Sequence, residues 1–226
     1  MIRFSLSFKM NQVKLYVLIL FSVVALFAGC VTYYPQVVDI PLIEEKDDLK
    51  IDAGMSYMCS AYGTVSYGLT NIVAVQAFGN VDILSRYHLQ GAVGLYKWFD
   101  ESLTGIELYG GYGYGNCLFD SPNTTTGAYH LVFTQFNIGR VEMGESNIDL
   151  GLGLKGGYLF GNFVNLSDLK TVHKENGMII EPTVLFRFES RREVKFSIKI
   201  NYVLPVTIDR QHALFYPFNF SIGRQF

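Results

Sequence analysis

Charge is scarce in this sequence. Asp, Glu, Lys and Arg supply 17% of the 226 residues, well below the ~25% of an ordinary soluble domain. The few charges nearly cancel, leaving -2 at pH 7. With no basic surplus there is no electrostatic footprint for nucleic acid. Tryptophan occurs once and proline six times. The four histidines are His88, His130, His173 and His212. None stands at i, i+2 or HxxxH spacing with a second ligand, so no metal centre is expected. No Gly-x-Ser-x-Gly elbow occurs. The glycines of Leu108 to Asn116 (LYGGYGYGN) lack the Lys-Ser/Thr that follows a phosphate loop. Their alternation with tyrosine marks them as strand glycines. No catalytic residue and no cofactor is therefore expected, and the chain is not expected to be an enzyme.

Phenylalanine (18), tyrosine (15) and glycine (22) are abundant instead, a mix that suits strands better than helices. The last stretch, Ala213 to Phe226, shows why. Tyr216, Phe218, Phe220, Ile222, Arg224 and Phe226 alternate with Pro217, Asn219, Ser221, Gly223 and Gln225. A period of two with one apolar face predicts a β-strand.

From Leu49 onward this alternation recurs about ten times, with eight strands as the lower count. The first strand is expected over Leu49 to Ser60. The clearest runs from Ile148 to Gly161, with Ile148, Leu150, Leu152, Leu154, Tyr158 and Phe160 opposed to Asp149, Gly151, Gly153, Lys155 and Gly157. Links near residues 70, 100, 145 and 190 are short. Asn116 to Gly127 and Asn162 to Gly177 are expected to be long polar loops. Alternating short and long links, with segments near the ~9–11 residues of a tilted spanning strand, fit a membrane barrel. The expected fold is all-β, an antiparallel up-and-down barrel of outer-membrane type over residues 49–226. Periodicity alone does not choose between apolar-out and apolar-in. A polar face made mostly of Gly, Ser, Thr and Asn favours a narrow lumen over a water-facing surface.

On that inward face stand Asp52, Glu107, Lys155, Glu181, Arg187, Lys195 and Lys199. Both signs occur in neighbouring strands. Paired charges that fill a narrow barrel are favoured over a selective pore, since buried charges need partners. Cys59 and Cys117 fall near strand tips on the long-loop side, where a disulfide would form if their strands came within ~7 Å.

The N-terminus is a targeting segment. Arg3, Lys9 and Lys14 precede a run from Leu15 to Phe27 that is apolar apart from Ser22 and ends at Ala28-Gly29-Cys30. A basic start, a short apolar run and small residues predict a signal peptide over 1–29. The run is short for a spanning helix of ~20 residues. Residues 30–48 are expected to form a tether, because Pro35 and Pro41 disfavour regular structure and the Glu44–Asp48 cluster prefers water.

Three of these stretches resemble known families. Leu26-Phe27-Ala28-Gly29-Cys30 resembles a bacterial lipobox, with Phe27 where Leu is usual. The resemblance implies Cys30 as the lipidated (palmitate-bearing) first residue. The closing strand ending at Phe226 resembles the last strand of Gram-negative outer-membrane barrels, which implies recognition by the barrel-insertion machinery. The stretch YYPQVVDIPLIEEKDDLKIDAG resembles the entry of a recurring Bacteroidota lipoprotein type, which carries no assigned activity. Acidic residues do not directly follow Cys30, so the lipid is expected in the periplasmic leaflet of the outer membrane. Together these imply a non-catalytic outer-membrane β-barrel lipoprotein with a structural or interaction role in the cell envelope. Its expected partners are outer-membrane lipid and the insertion machinery. One alternative is a soluble periplasmic lipoprotein barrel that binds a hydrophobic ligand. Another is a narrow pore.

Overall fold

The computed structural model describes residues 38–56, 60–82, 86–118, 125–143, 148–165, 172–190, 194–206 and 218–225. Eleven strands follow one another: β1 (Leu49–Ser56), β2 (Ser60–Gly68), β3 (Val73–Asp82), β4 (Tyr87–Phe99), β5 (Thr104–Leu118), β6 (Thr125–Met143), β7 (Ile148–Asn165), β8 (Val172–Ser190), β9 (Val194–Tyr202), β10 (Leu204–Pro205) and β11 (Phe218–Gln225). Each pairs antiparallel with its neighbours. β10 keeps the register of β9 on β8 (Asn201 opposite Thr183, Leu204 opposite Ile180), so the two form one stave. β11 then pairs with both β9 and β1 and closes a ten-stave barrel. Closure leaves no edge strand to template further pairing.

The apolar and polar faces are sorted inside out relative to a soluble domain. Leu89, Val93 and Leu95 on β4 are more than half exposed, as is Leu152 on β7. Gln90, Lys155 and Glu181 point inward, and the last two are fully buried. The alternation read from sequence is therefore the inside–outside alternation of the wall. Tyr112, Tyr114, His130, Tyr158 and Phe160 cluster on the outer surface, with ring centroids 5.1–6.4 Å apart.

Half of the expected loop over 116–127 and most of that over 162–177 are strand. Cys117 pairs with Gly127, and His173 with Phe163. Only six residues separate β5 from β6, and six separate β7 from β8. These extensions run past the outer aromatic cluster. There the sequence His173-Lys174-Glu175-Asn176 is polar on both faces, so no period of two could mark it as strand.

Candidate functional site

The lumen is the candidate site, and the segment before β1 enters it. Val38, Ile40, Leu42 and Ile43 are fully buried, and Asp39 is 1% exposed. Pro41 lies buried among them. The sequence reading put these residues in a tether. Among the described residues of that stretch, only the charged end, Glu44 to Lys46 with Asp47, is out in water. The turn is fixed at the rim by Asp47 N to Gly68 O (2.8 Å), and Lys50 bridges Glu44 (3.0 Å) and Asp48 (3.2 Å).

A backbone without regular structure can enter a barrel only if its polar groups find partners there. Pro41 helps by bringing no N–H. The wall supplies the rest. Gln135 Nε2 donates to the Asp39 carbonyl at 2.7 Å, with Asn137 Nδ2 at 3.4 Å. Arg187 Nη2 donates to the Ile40 carbonyl at 2.9 Å. Glu107 Oε1 accepts from the Ile43 amide at 2.8 Å, and its other oxygen accepts from Asn137 at 2.8 Å. The chain bends at Leu42, whose φ of 57° lies in the left-handed region and costs backbone strain. The hydrophobic contacts around it carry that cost: Ile40 and Leu42 pack with Val141 and Leu185, and against Trp98 and Leu103.

Glycines of the wall make the room, Gly139 and Gly153 among them. A Cβ at Gly139 would lie 2.8 Å from both Leu42 methyls, and one at Gly153 would lie 3.1 Å from Ile40 Cδ1. Side chains at either position would collide with the inserted segment.

The charges form connected pairs. Lys199 Nζ meets Asp39 at 2.7 Å and Asp52 at 3.4 Å. Ser197 donates to Asp52 at 2.9 Å, and Ser66 to Asp39 at 3.4 Å. Asp149 takes Arg187 at 3.4 Å and Lys195 at 3.1 Å. Lys155 pairs with Glu181 across β7 and β8 at 2.5 Å. Arg86 pairs with Asp82 near the opposite end. Burial alone would raise the Asp39 carboxyl. The Lys199 charge and hydrogen bond, helped by Arg187, hold it below the ordinary carboxylate value. Beyond the charges the lumen holds an aromatic layer. His88 stacks on Tyr129 (5.6 Å) and shares a 3.1 Å hydrogen bond with it, and Phe78 packs against His88 and Tyr62.

Of the seven inward charges read from sequence, Asp52, Glu107, Lys155, Glu181, Arg187 and Lys199 are at most 1% exposed. Lys195 sits at the rim, with 26% of its side chain exposed. Sequence reasoning missed Asp149 as a partner, although it shares the parity of Lys155 on β7. It also missed Asp39, Gln135 and Asn137. For Asp39 no signal existed, since a segment without periodicity does not announce where it packs. Cys30, Cys59 and Phe226 lie outside the described residues. Cys117 is in β5. Among the described residues no group of His, Cys, Asp or Glu could hold a metal ion. No described helix is long and apolar enough to cross a membrane, which says nothing of strands. Compared with family models, curated proteins and solved structures, the chain gives no match.

Proposed function

We propose that this chain is a lipid-anchored outer-membrane β-barrel without catalytic activity. Its lumen is closed by its own N-terminal segment, and its role in the envelope is structural or one of interaction. The observation that carries this reading is the sorting of the wall. Lys155, Glu181 and Lys199 are fully buried, while Leu89, Val93, Leu95 and Leu152 are more than half exposed. Water would penalise such an outer surface, whereas an alkane-like medium would not. The exposed aromatic cluster at the outer end of the band supports the same reading, because aromatic girdles mark membrane interfaces.

The soluble alternative needs an apolar interior and a polar exterior. Here Phe196 is exposed and Lys199 fully buried, which favours the membrane reading. A narrow pore is disfavoured by the inserted segment, which fills one part of the lumen, and by the aromatic layer, which fills another. Anchoring at Cys30, residence in the periplasmic leaflet and recognition of the Phe226 end by insertion machinery remain proposals that rest on the sequence motifs.

The test is fractionation of the Cys30→Ser variant. Retention in the membrane after a carbonate wash, with faster gel mobility before boiling than after, is expected of a barrel that spans lipid on its own. Release into the soluble fraction would leave the acyl group as the sole attachment and overturn the reading.

A further inference from the structure

The closing seam carries a groove on its outer surface. It lies where β1, β11 and β9 meet and is lined by Ala53, Met55, Phe196, Ile222 and Arg224, with a volume of about 540 Å³. That size falls in the range of small-ligand sites, roughly 300–1,000 Å³. The groove exists because Ala53 is the one short side chain in the outward row Ile51–Ala53–Met55, beside the larger Phe196 and Ile222.

Its two ends differ. Met55 stands opposite Ile222, two residues further from the end of β11 than Arg224. Ala53 stands opposite Arg224, which stands opposite Phe196, only two residues from the start of β9. Along β9 and β11 the guanidinium therefore lies nearer the strand ends than the apolar part does, on the side of the wall where β1 begins. An arginine there can extend its head to the interface while its stem stays on apolar surface. Its five N–H donors match phosphate geometry, and several can bind phosphate alongside a protein partner.

We propose that this groove is a binding site for an anionic phospholipid, with the phosphate on Arg224 and one acyl chain along Ala53, Met55 and Ile222. The inference deepens the membrane reading and rests on it. Charge selects this occupant over a second copy of the chain. A two-fold contact through the groove would bring two Arg224 side chains together, which like-charge repulsion opposes.

The test is native mass spectrometry of the full chain released from bilayers of mixed phosphatidylglycerol and phosphatidylethanolamine. Gel mobility before and after boiling checks folding of each variant. The wild type is expected to retain phosphatidylglycerol above its bilayer share. Arg224→Gln removes the charge, and Ala53→Phe fills the groove from an exposed position. Each is expected to lower retention about tenfold, or ~1.4 kcal/mol, with folding intact. Enrichment that survives in both variants overturns the proposal. So does loss in Arg224→Gln alone, which would mean a surface charge without a groove. A dimer in place of lipid-bound monomer overturns it too. A wild type that folds into the bilayer without enrichment sinks only the lipid site. A wild type that never enters the bilayer sinks the membrane reading as well.

Discussion

Removing the Asp39 carboxylate should undock the inserted segment, and the lone tryptophan reports it. Asp39 is the only acidic side chain that the segment Val38–Ile43 brings into the lumen, and Lys199 lies 2.7 Å from it with no exposed surface. In Asp39→Ala the lysine keeps only Asp52, at 3.4 Å. Breaking one partner from a buried pair costs about 3–5 kcal/mol. Because Asp52 remains, the lower end, ~3 kcal/mol, is the expected loss. In an Asp52→Asn background, which removes the third charge of the cluster, the double variant Asp39→Ala/Lys199→Met removes both remaining charges, and exchanging a buried pair for apolar groups is often near neutral. It should therefore recover about 2 kcal/mol of the single-variant loss, visible as a coupling energy in the cycle. Trp98 packs against the cluster that holds Ile40 and Leu42, so urea titration followed by its emission reads segment docking directly. Glu45→Ala, at the water-exposed rim, is the control and should change stability by less than ~0.5 kcal/mol. Equal, small losses for Asp39→Ala and Glu45→Ala would refute the argument, as would additive single and double variants.

Further expectations follow from the same contacts. Gly153→Leu puts a side chain where Ile40 now sits, and overpacking of this kind costs about 1–3 kcal/mol; its Trp98 emission should match that of the undocked segment. Val93→Arg places a charge on an exposed apolar row and should cost ~2–4 kcal/mol if that row lies at the bilayer midplane, seen as reduced insertion into vesicles, whereas a water-facing row would tolerate it. The Asp39 carboxyl titrates below its ordinary value of 3.8. A lowered folded value contributes stability above the unfolded value that disappears as pH falls through the folded one. Trp98 emission should thus show a transition on the acid side of that value, and Asp39→Asn should remove that transition.

How far the sequence carries can be seen at particular residues. The strand cores were legible because Leu150, Leu152 and Leu154 alternate with Gly151, Gly153 and Lys155, and a wall with unlike media on its two sides enforces that period. The inward charges were legible by the same parity. The far ends of β5 to β8 were not, because the run His173-Lys174-Glu175-Asn176 carries polar residues at successive positions and shows no period of two. The inserted segment was hidden for a different reason. Asp39, Ile40 and Leu42 have no local structure of their own, and their partners Gln135, Arg187 and Lys199 lie about a hundred residues or more away. Only the assembled barrel brings them together. The buried VDIPLI run did stand out from the charged residues after it, but Pro35 and Pro41 carried the reading toward a solvated tether.

The sidedness of the wall is the central claim, and depth-resolved quenching tests it most directly. In a Trp98→Phe background, Leu152→Trp and Val93→Trp each place one indole on the outward face. In bilayers with brominated acyl chains, both should be strongly quenched and resist aqueous acrylamide. Quenching by acrylamide with no effect of bromine would put that face in water and contradict the account.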